Sequence, residues 1–519
     1  MKELIHLSTL DIVVIVVYVI VLLGIAYWAS FSKKNKSENL FTANKSLGWF
    51  AIGLTMWGTN VGPSMLIANA SSGYESGIVA GNFSWYAFPF ILLLAFVFAP
   101  RYLGAQVMTL PEYMGKRFGD KTRRYLAWYT IITILISWLG LTLFSGGVFM
   151  SQILAIPLST SIVILVAISA AFVIAGGLKA IAYTNVFQML LLIGVSILLV
   201  VMAVIKVGGI SEIVNSTPVS YWKMFQPLDD PNFPWLAILI GYPIMGVWFW
   251  CTDQSMVQSV LGTKDLKNGQ MGANFVAWLK VIDIPLFMIP GILAFILLPG
   301  LSNSTDAYLK LVEAVFPPGL IGLVIVVMMA ALISTVGSAL NSLSAVFTMD
   351  IYIKQFKPTA SNKEITLIGR IVVVIGALLS IFLAIGITYI QGLSFFNIFQ
   401  SVLGFIAPPM SVAFLFAVLW KKTSHKAINS VLTLGTIFSL GIGILYYNNL
   451  IFKGLHFLYI SFIIFVILGI YVFVYSLIDS KSNQTIAKID YQPIKIDAKV
   501  KVAWILLVVV MVGLYLFFN

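Results

Sequence analysis

From Tyr125 to Leu178 the chain carries no Asp, Glu, Lys or Arg. Such a run is long enough to cross the roughly 30 Å hydrocarbon layer of a bilayer more than once at about 1.5 Å per helical residue. Water-soluble folds do not leave stretches of this length uncharged, so the chain reads as an all-α integral membrane protein. Composition agrees, because 60% of the 519 residues are hydrophobic and 10% are charged, against about 25% charged in a soluble domain. The single cysteine, Cys251, allows no intramolecular disulfide. The three histidines, His6, His425 and His456, have no cysteine or carboxylate cluster beside them, which removes zinc and haem chemistry.

Apolar segments of spanning length fall at about 10–30, 47–70, 79–99, 125–151, 157–176, 181–205, 234–252, 270–298, 310–349, 365–386, 393–420, 427–447, 455–478 and 501–518. This predicts about 14 transmembrane helices in one membrane domain over 1–519, with no cleaved signal segment ahead of the first span. The net charge of +12 is not a nucleic-acid footprint, because its lysines and arginines cluster in alternate loops. Lys33, Lys34, Lys36 and Lys45 follow the first span, and Arg101, Lys116, Arg117, Lys121, Arg123 and Arg124 follow the third. The connections at 71–78, 152–156 and 387–392 carry none. Positive loops stay cytoplasmic, so both termini are expected outside. No phosphate-cradling glycine loop is present, which argues against ATP-driven work.

Two spans are poor plain helices. The second reads Leu54-Thr-Met-Trp-Gly58-Thr-Asn60-Val61-Gly62-Pro63-Ser64, and the seventh reads Ile240-Gly241-Tyr-Pro243-Ile-Met-Gly246-Val-Trp248-Phe-Trp250. Glycine and proline near mid-span free backbone carbonyls that hydrocarbon cannot satisfy, and a cation can. Both residues are common in membrane helices. Their pairing at the start of two successive five-span sets, 47–205 and 234–420, points instead to an inverted-repeat secondary transporter.

In the ninth span, Ala331, Ser334 and Thr335 share one helical face and offer one carbonyl and two hydroxyls, an uncharged oxygen set that suits Na⁺. The alternative is that the hydroxyls bond back to their own helix or across to a neighbour. Lys280 is the most costly residue in the chain, at roughly 2.5 to 3.5 kcal/mol for a lysine at a helix centre. Asp283 is close enough to neutralise it, and a structural ion pair and a solute contact both remain open. Gln400 fits an interhelical hydrogen bond or a ligand contact. Trp248, Phe249 and Trp250 fit core packing, or a pocket that stacks a ring or closes a gate.

Several motifs then carry a resemblance: Gly177-Leu178 before Tyr183-Thr184, Leu110-Pro111-Glu112-Tyr113 before Lys116-Arg117-Phe118, and Trp250-Cys251-Thr252-Asp253-Gln254 before Val257-Gln258. Asn341-Ser342 before Phe347-Thr348-Met349-Asp350-Ile351-Tyr352, and Pro408-Pro409 before Trp420-Lys421, continue it. The chain resembles the sodium/solute symporter family, and within it the sodium/glucose cotransporter branch, in order from about 36 to 425. The resemblance implies a LeuT-like five-plus-five inverted repeat, with a leading helix at 10–30 and trailing helices over 427–518. It places the Na⁺ ligands on Gly58, Val61, Ala331, Ser334 and Thr335. It places solute contacts on Lys280, Gln400, Trp250 and Asn60, an inner gate on Phe249 and Trp250, and outer-gate aromatics on Phe83 and Phe396.

The departures from that pattern are informative. Sugar-transporting relatives carry a glutamate where this chain has Ser84, and His or Gln where it has Met65, so two hydroxyl partners in the solute site are changed. Members with a second sodium site carry an aspartate where this chain has Asn185, and Gly337 lacks a hydroxyl, which predicts one Na⁺ per solute. The expected function is Na⁺-coupled import of a small polar solute, a monosaccharide or polyol, by alternating access through a cell membrane. An amino acid, a monocarboxylate or a vitamin is the alternative cargo, and a carboxylate would want Lys280 as its partner. A membrane transferase would need clustered carboxylates or His/Asp pairs. A channel would need polar rings around a symmetric pore. Neither pattern is present, and the sequence sets no oligomeric state.

Overall fold

The computed structural model describes residues 8–31, 41–387, 395–479 and 496–519. Among them the regular structure is helical, and no β-sheet forms. The helices that matter here are α1 (Thr9–Phe31), α2 (Trp49–Asn60), α3 (Pro63–Ser76), α4 (Val79–Gly104), α5 (Asp120–Ser151), α6 (Leu158–Val207), α7 (Trp235–Thr252) and α8 (Gln254–Leu261). They are followed by α9 (Leu266–Leu297), α10 (Leu320–Phe356), α11 (Asn362–Ile387), α12 (Phe395–Leu419), α13 (His425–Tyr447), α14 (Phe457–Ile478) and α15 (Ala498–Phe517).

Helix α6 has 50 residues. Straight, it would measure about 75 Å, more than twice the hydrocarbon thickness. At Gly177 the backbone turns to φ 55° and ψ −145°, outside the helical region, in a conformation that suits a residue without a Cβ. The helix is thereby divided into the two crossings expected at 157–176 and 181–205. With α2 and α3 counted as one interrupted crossing, every span expected from the sequence has a helical counterpart.

The spanning part of α10 is buried almost throughout within the protein, whereas α13, α14 and α15 bury a third or less of theirs. The exposed apolar side chains of α15, such as Ile505, Val509 and Leu516, are what a lipid-facing helix requires. Ala330, Ala331, Gly337 and Ala339 keep α10 slim, so α1, α2, α6 and α11 can pack directly against it. The start of α10 is capped from another helix: Asp11 of α1 accepts hydrogen bonds from the backbone N–H groups of Gly319 (2.8 Å) and Gly322 (2.6 Å). A helix N-terminus leaves such donors without partners, and a carboxylate there also meets the positive end of the helix dipole.

The second span breaks where expected. α2 ends at Asn60, Val61 and Gly62 are extended, and α3 starts with Pro63 in its first turn, a position that needs no N–H from proline. The seventh span differs from expectation. Helix α7 runs through Gly241, Pro243 and Gly246, becomes π-wound over Trp248–Thr252, and leaves the helical path only at Asp253. Its glycines serve close packing: a Cβ on Gly241 would lie 2.4 Å from the carbonyl oxygen of Leu458, and one on Gly246 would lie 2.3 Å from the Phe90 ring.

Proline in a helix orphans the carbonyl four residues earlier. For Pro243 that carbonyl belongs to Leu239, and the Tyr86 hydroxyl donates to it at 3.2 Å. For Pro285 in α9 it belongs to Val281, and the Trp85 indole N–H donates to it at 3.1 Å. Two adjacent side chains of α4 therefore repair both helices.

Candidate ion and solute site

The break between α2 and α3 lies against the middle of α10. The Thr335 hydroxyl sits 3.0 Å from the carbonyl oxygen of Ala331, 3.2 Å from that of Thr59 and 3.4 Å from that of Gly58. The Ser334 hydroxyl is buried and has no hydrogen-bond partner among the described residues. A Cβ on Gly58 would come within 2.9 Å of that oxygen and of Met189 Sδ. An unpartnered buried hydroxyl, an adjacent hydroxyl among carbonyls, and a space that only glycine leaves open together fit a small cation with oxygen ligands. Val61, the first residue off the helix, takes ψ 92°, which turns its carbonyl away from the α2 ladder. The back-bond from Thr335 to Ala331, the alternative role for that hydroxyl, is present as well. Beside this cluster, Thr59 Oγ1 donates to Ser338 Oγ at 2.9 Å and joins α2 to α10.

Lys280 and Asp283 meet as a buried ion pair on α9. The pair is not isolated. Lys280 Nζ also donates to Asn60 Oδ1 at 2.9 Å. Asp283 accepts from Trp57 Nε1 at 2.9 Å on one oxygen, and from Ser84 Oγ at 2.9 Å and Lys280 on the other. The knot thus binds α2, α4 and α9 at the level of the break. The Trp250 ring lies beside it, with its centroid 5.9 Å from Lys280 Nζ.

Phe249 and Trp250 form an edge-to-face pair with centroids 5.1 Å apart, and Phe249 also packs on Trp138 of α5 at 5.4 Å. Trp138 is held in place by a hydrogen bond from its indole N–H to Asp253 Oδ2 at 3.0 Å. The other Asp253 oxygen caps the start of α8 through the N–H groups of Ser255 and Met256. Phe83 packs edge-on against Tyr242 at 5.3 Å, and its carbonyl accepts the Tyr242 hydroxyl at 2.7 Å.

The structure thus gathers Gly58, Ala331, Ser334 and Thr335 into one cluster beside the Val61 break. It draws Asn60, Ser84, Lys280 and Trp250 into a second. Met65 lies half-buried on α3. The side chains of Phe396 and Gln400 lie outside the described residues. Sequence reasoning assigned no role to Trp57 or Trp138, and treated Asp283 only as a neutraliser. Trp57 was open to inference, because it lies three residues before Asn60 and therefore on the same face of α2. Trp138 sits in an uncharged run with no local cue.

Comparison with known proteins follows the same lines. The sequence pattern of the sodium:solute symporter family matches residues 40–434. This chain belongs to that family. The symporter is 31% identical over 460 residues to sodium/glucose cotransporter 4 of Danio rerio, covering 81% of this chain and 69% of that protein. It is equally 31% identical over 503 residues to human sodium/myo-inositol cotransporter 2, covering 88% of this chain and 74% of that protein. Among solved structures, an outward-open, substrate-bound Na⁺-coupled sialic acid symporter superposes with a TM-score of 0.78 at 20% identity, covering 91% of this chain and 98% of that one. A nucleobase-cation-symport-1 family transporter in a closed conformation gives 0.53 at 14% identity over 91% of this chain and 99% of that one. The symporter therefore has the LeuT-like fold. Its relatives are cotransporters and not enzymes, and Na⁺ is the coupling ion.

Proposed function

We propose that this symporter imports a monosaccharide or polyol with Na⁺ by alternating access, one Na⁺ per solute. The observation that carries the reading is the unpartnered Ser334 hydroxyl facing Gly58 at the α2–α3 break, beside Thr335 and the Ala331 carbonyl. In this reading Na⁺ is held by the carbonyls of Gly58, Val61 and Ala331 and the hydroxyls of Ser334 and Thr335. The ion then ties the broken span to α10 and favours the state open to the outside. In this reading the solute contacts are Asn60, Met65, Ser84, Trp250, Lys280 and Gln400, with Phe83 and Phe396 as outer gate and Phe249 as inner gate. Coupling requires only that Na⁺ and solute prefer one state over the other by a few kcal/mol. The neutral amide of Asn185 and the bare Gly337 support a single ion.

The two halves of the core run over about 47–205 and 234–420. The charged loops between spans support both termini outside a cell membrane. The relatives named for glucose and myo-inositol support a sugar or polyol cargo.

The test is uptake into proteoliposomes of labelled glucose, galactose, myo-inositol, amino acids and monocarboxylates under an inward Na⁺ gradient, with K⁺ as control. Na⁺-dependent accumulation of a sugar or polyol, weakened in Thr335→Ala, is the expected result. Uptake driven by H⁺ and indifferent to Na⁺ would remove the ion assignment.

A further inference from the structure

We propose that Asp283 sets the charge selectivity of the solute site, making it a receptor for neutral, polyhydroxylated solutes and barring anionic ones. The inference rests on the reading of that site given above. Lys280 alone would be an anion receptor, since a buried ammonium seeks a negative partner. Here the partner is already built into α9, and both side chains are almost completely buried, at 3% and 1% exposure. An incoming carboxylate would have to displace Asp283 or lie beside it. In a site shielded from water, two like charges repel far more strongly than in bulk solvent.

Counting donors and acceptors shows what the pair can still bind. An ammonium has three N–H donors, and Lys280 uses one on Asn60 and one on Asp283. A carboxylate has about four acceptor positions. Asp283 uses three, on Trp57, Ser84 and Lys280. One donor on Lys280 and one acceptor position on Asp283 remain. A hydroxyl group both donates and accepts, so it completes the pair without leaving a charge unmatched. A carboxylate can satisfy only the donor.

Asp283 also occupies a place that side chain 84 can reach, because the Ser84 hydroxyl is 2.9 Å from its carboxylate. A longer acid at position 84 could supply the same charge from α4. This gives a test that a purely structural ion pair would fail. The transporter in proteoliposomes is offered labelled glucose or galactose, with glucuronate or galacturonate as competitor; each acid differs from its sugar only at one carbon.

Wild type should ignore the acids, whereas Asp283→Asn should lose uptake of the neutral sugar and gain sensitivity to its acid by about tenfold or more. Ser84→Glu in an Asp283→Ala background should restore sugar uptake and again exclude the acids. Accumulation of an acid by wild type would overturn the proposal. So would an Asp283→Asn protein that stays indifferent to acids. If neither variant reaches the membrane folded, the pair serves folding, and the proposal fails in that case too. Should wild type show no Na⁺-driven uptake of any neutral probe, the symport reading fails first. Binding of the same sugars and acids, followed by thermal shift of the purified protein, then still reads charge selectivity.

Discussion

The Ser334 hydroxyl lies 2.9 Å from the point at which a side chain on Gly58 would begin. A methyl group there would crowd the Ser334 oxygen that the proposed Na⁺ site uses. Gly58→Ala is therefore expected to abolish Na⁺-dependent uptake while leaving the protein in the membrane. Thr335→Ala, which removes one oxygen and fills no space, should raise the Na⁺ concentration for half-maximal uptake by about tenfold, corresponding to about 1.4 kcal/mol. A Na⁺ titration of initial uptake rates checks both, and an unchanged Na⁺ dependence in Gly58→Ala would detach the break from the ion site.

A second expectation concerns Phe249, the proposed inner gate. Trp138 backs Phe249 and is anchored on Asp253. Trp138→Phe keeps a ring but loses the indole N–H, so Phe249 should become more mobile and the transporter more leaky. Solute efflux from preloaded vesicles without Na⁺ should rise several-fold relative to wild type, while solute binding stays near its original strength. Equal efflux from both proteins would separate Trp138 from gating.

The repair of α7 can be tested alone. Tyr86→Phe takes the donor from the Leu239 carbonyl that Pro243 orphans. A membrane-buried side-chain hydrogen bond of this kind contributes about 0.6 kcal/mol on average. A small fall in thermal stability with uptake retained is expected. Adding Pro243→Ala should make the Tyr86 substitution nearly silent, since α7 then satisfies its own carbonyl; a full additive loss would refute the pairing.

Asp11 offers the corresponding test at the start of α10. Asp11→Ala leaves the N–H groups of Gly319 and Gly322 without a partner, a loss of about 1 to 2 kcal/mol for a helix cap. Thermal unfolding should occur at lower temperature, with Asp11→Asn intermediate. Wild-type stability in Asp11→Ala would mean that other groups hold α1 to α10.

Much of this architecture was legible because membrane helices announce themselves by length and lack of charge. The α2–α3 break was legible for a different reason, since Gly58, Gly62 and Pro63 fall together near mid-span. The seventh span carried the same residue types and misled. Whether Pro243 breaks a helix depends on a donor for the freed carbonyl, and that donor, Tyr86, lies on another span. Asp283 was visible as a neighbour of Lys280, but its bonds to Trp57 and Ser84 join residues more than 190 positions apart. Local spacing carries no trace of such contacts, which explains why the centre of the site emerged only with the fold.

Gly177 has a mechanical consequence. The two crossings of α6 meet at one residue, with no loop between them to absorb displacement. One arm carries Met189, which packs beside Gly58 near Ser334; the other, through Ile162, packs on Gly147 of α5. A tilt in either arm has only the torsions of a single glycine through which to relax. Any change in the angle between the two crossings must therefore be taken up at or beside Gly177, and not in a loop.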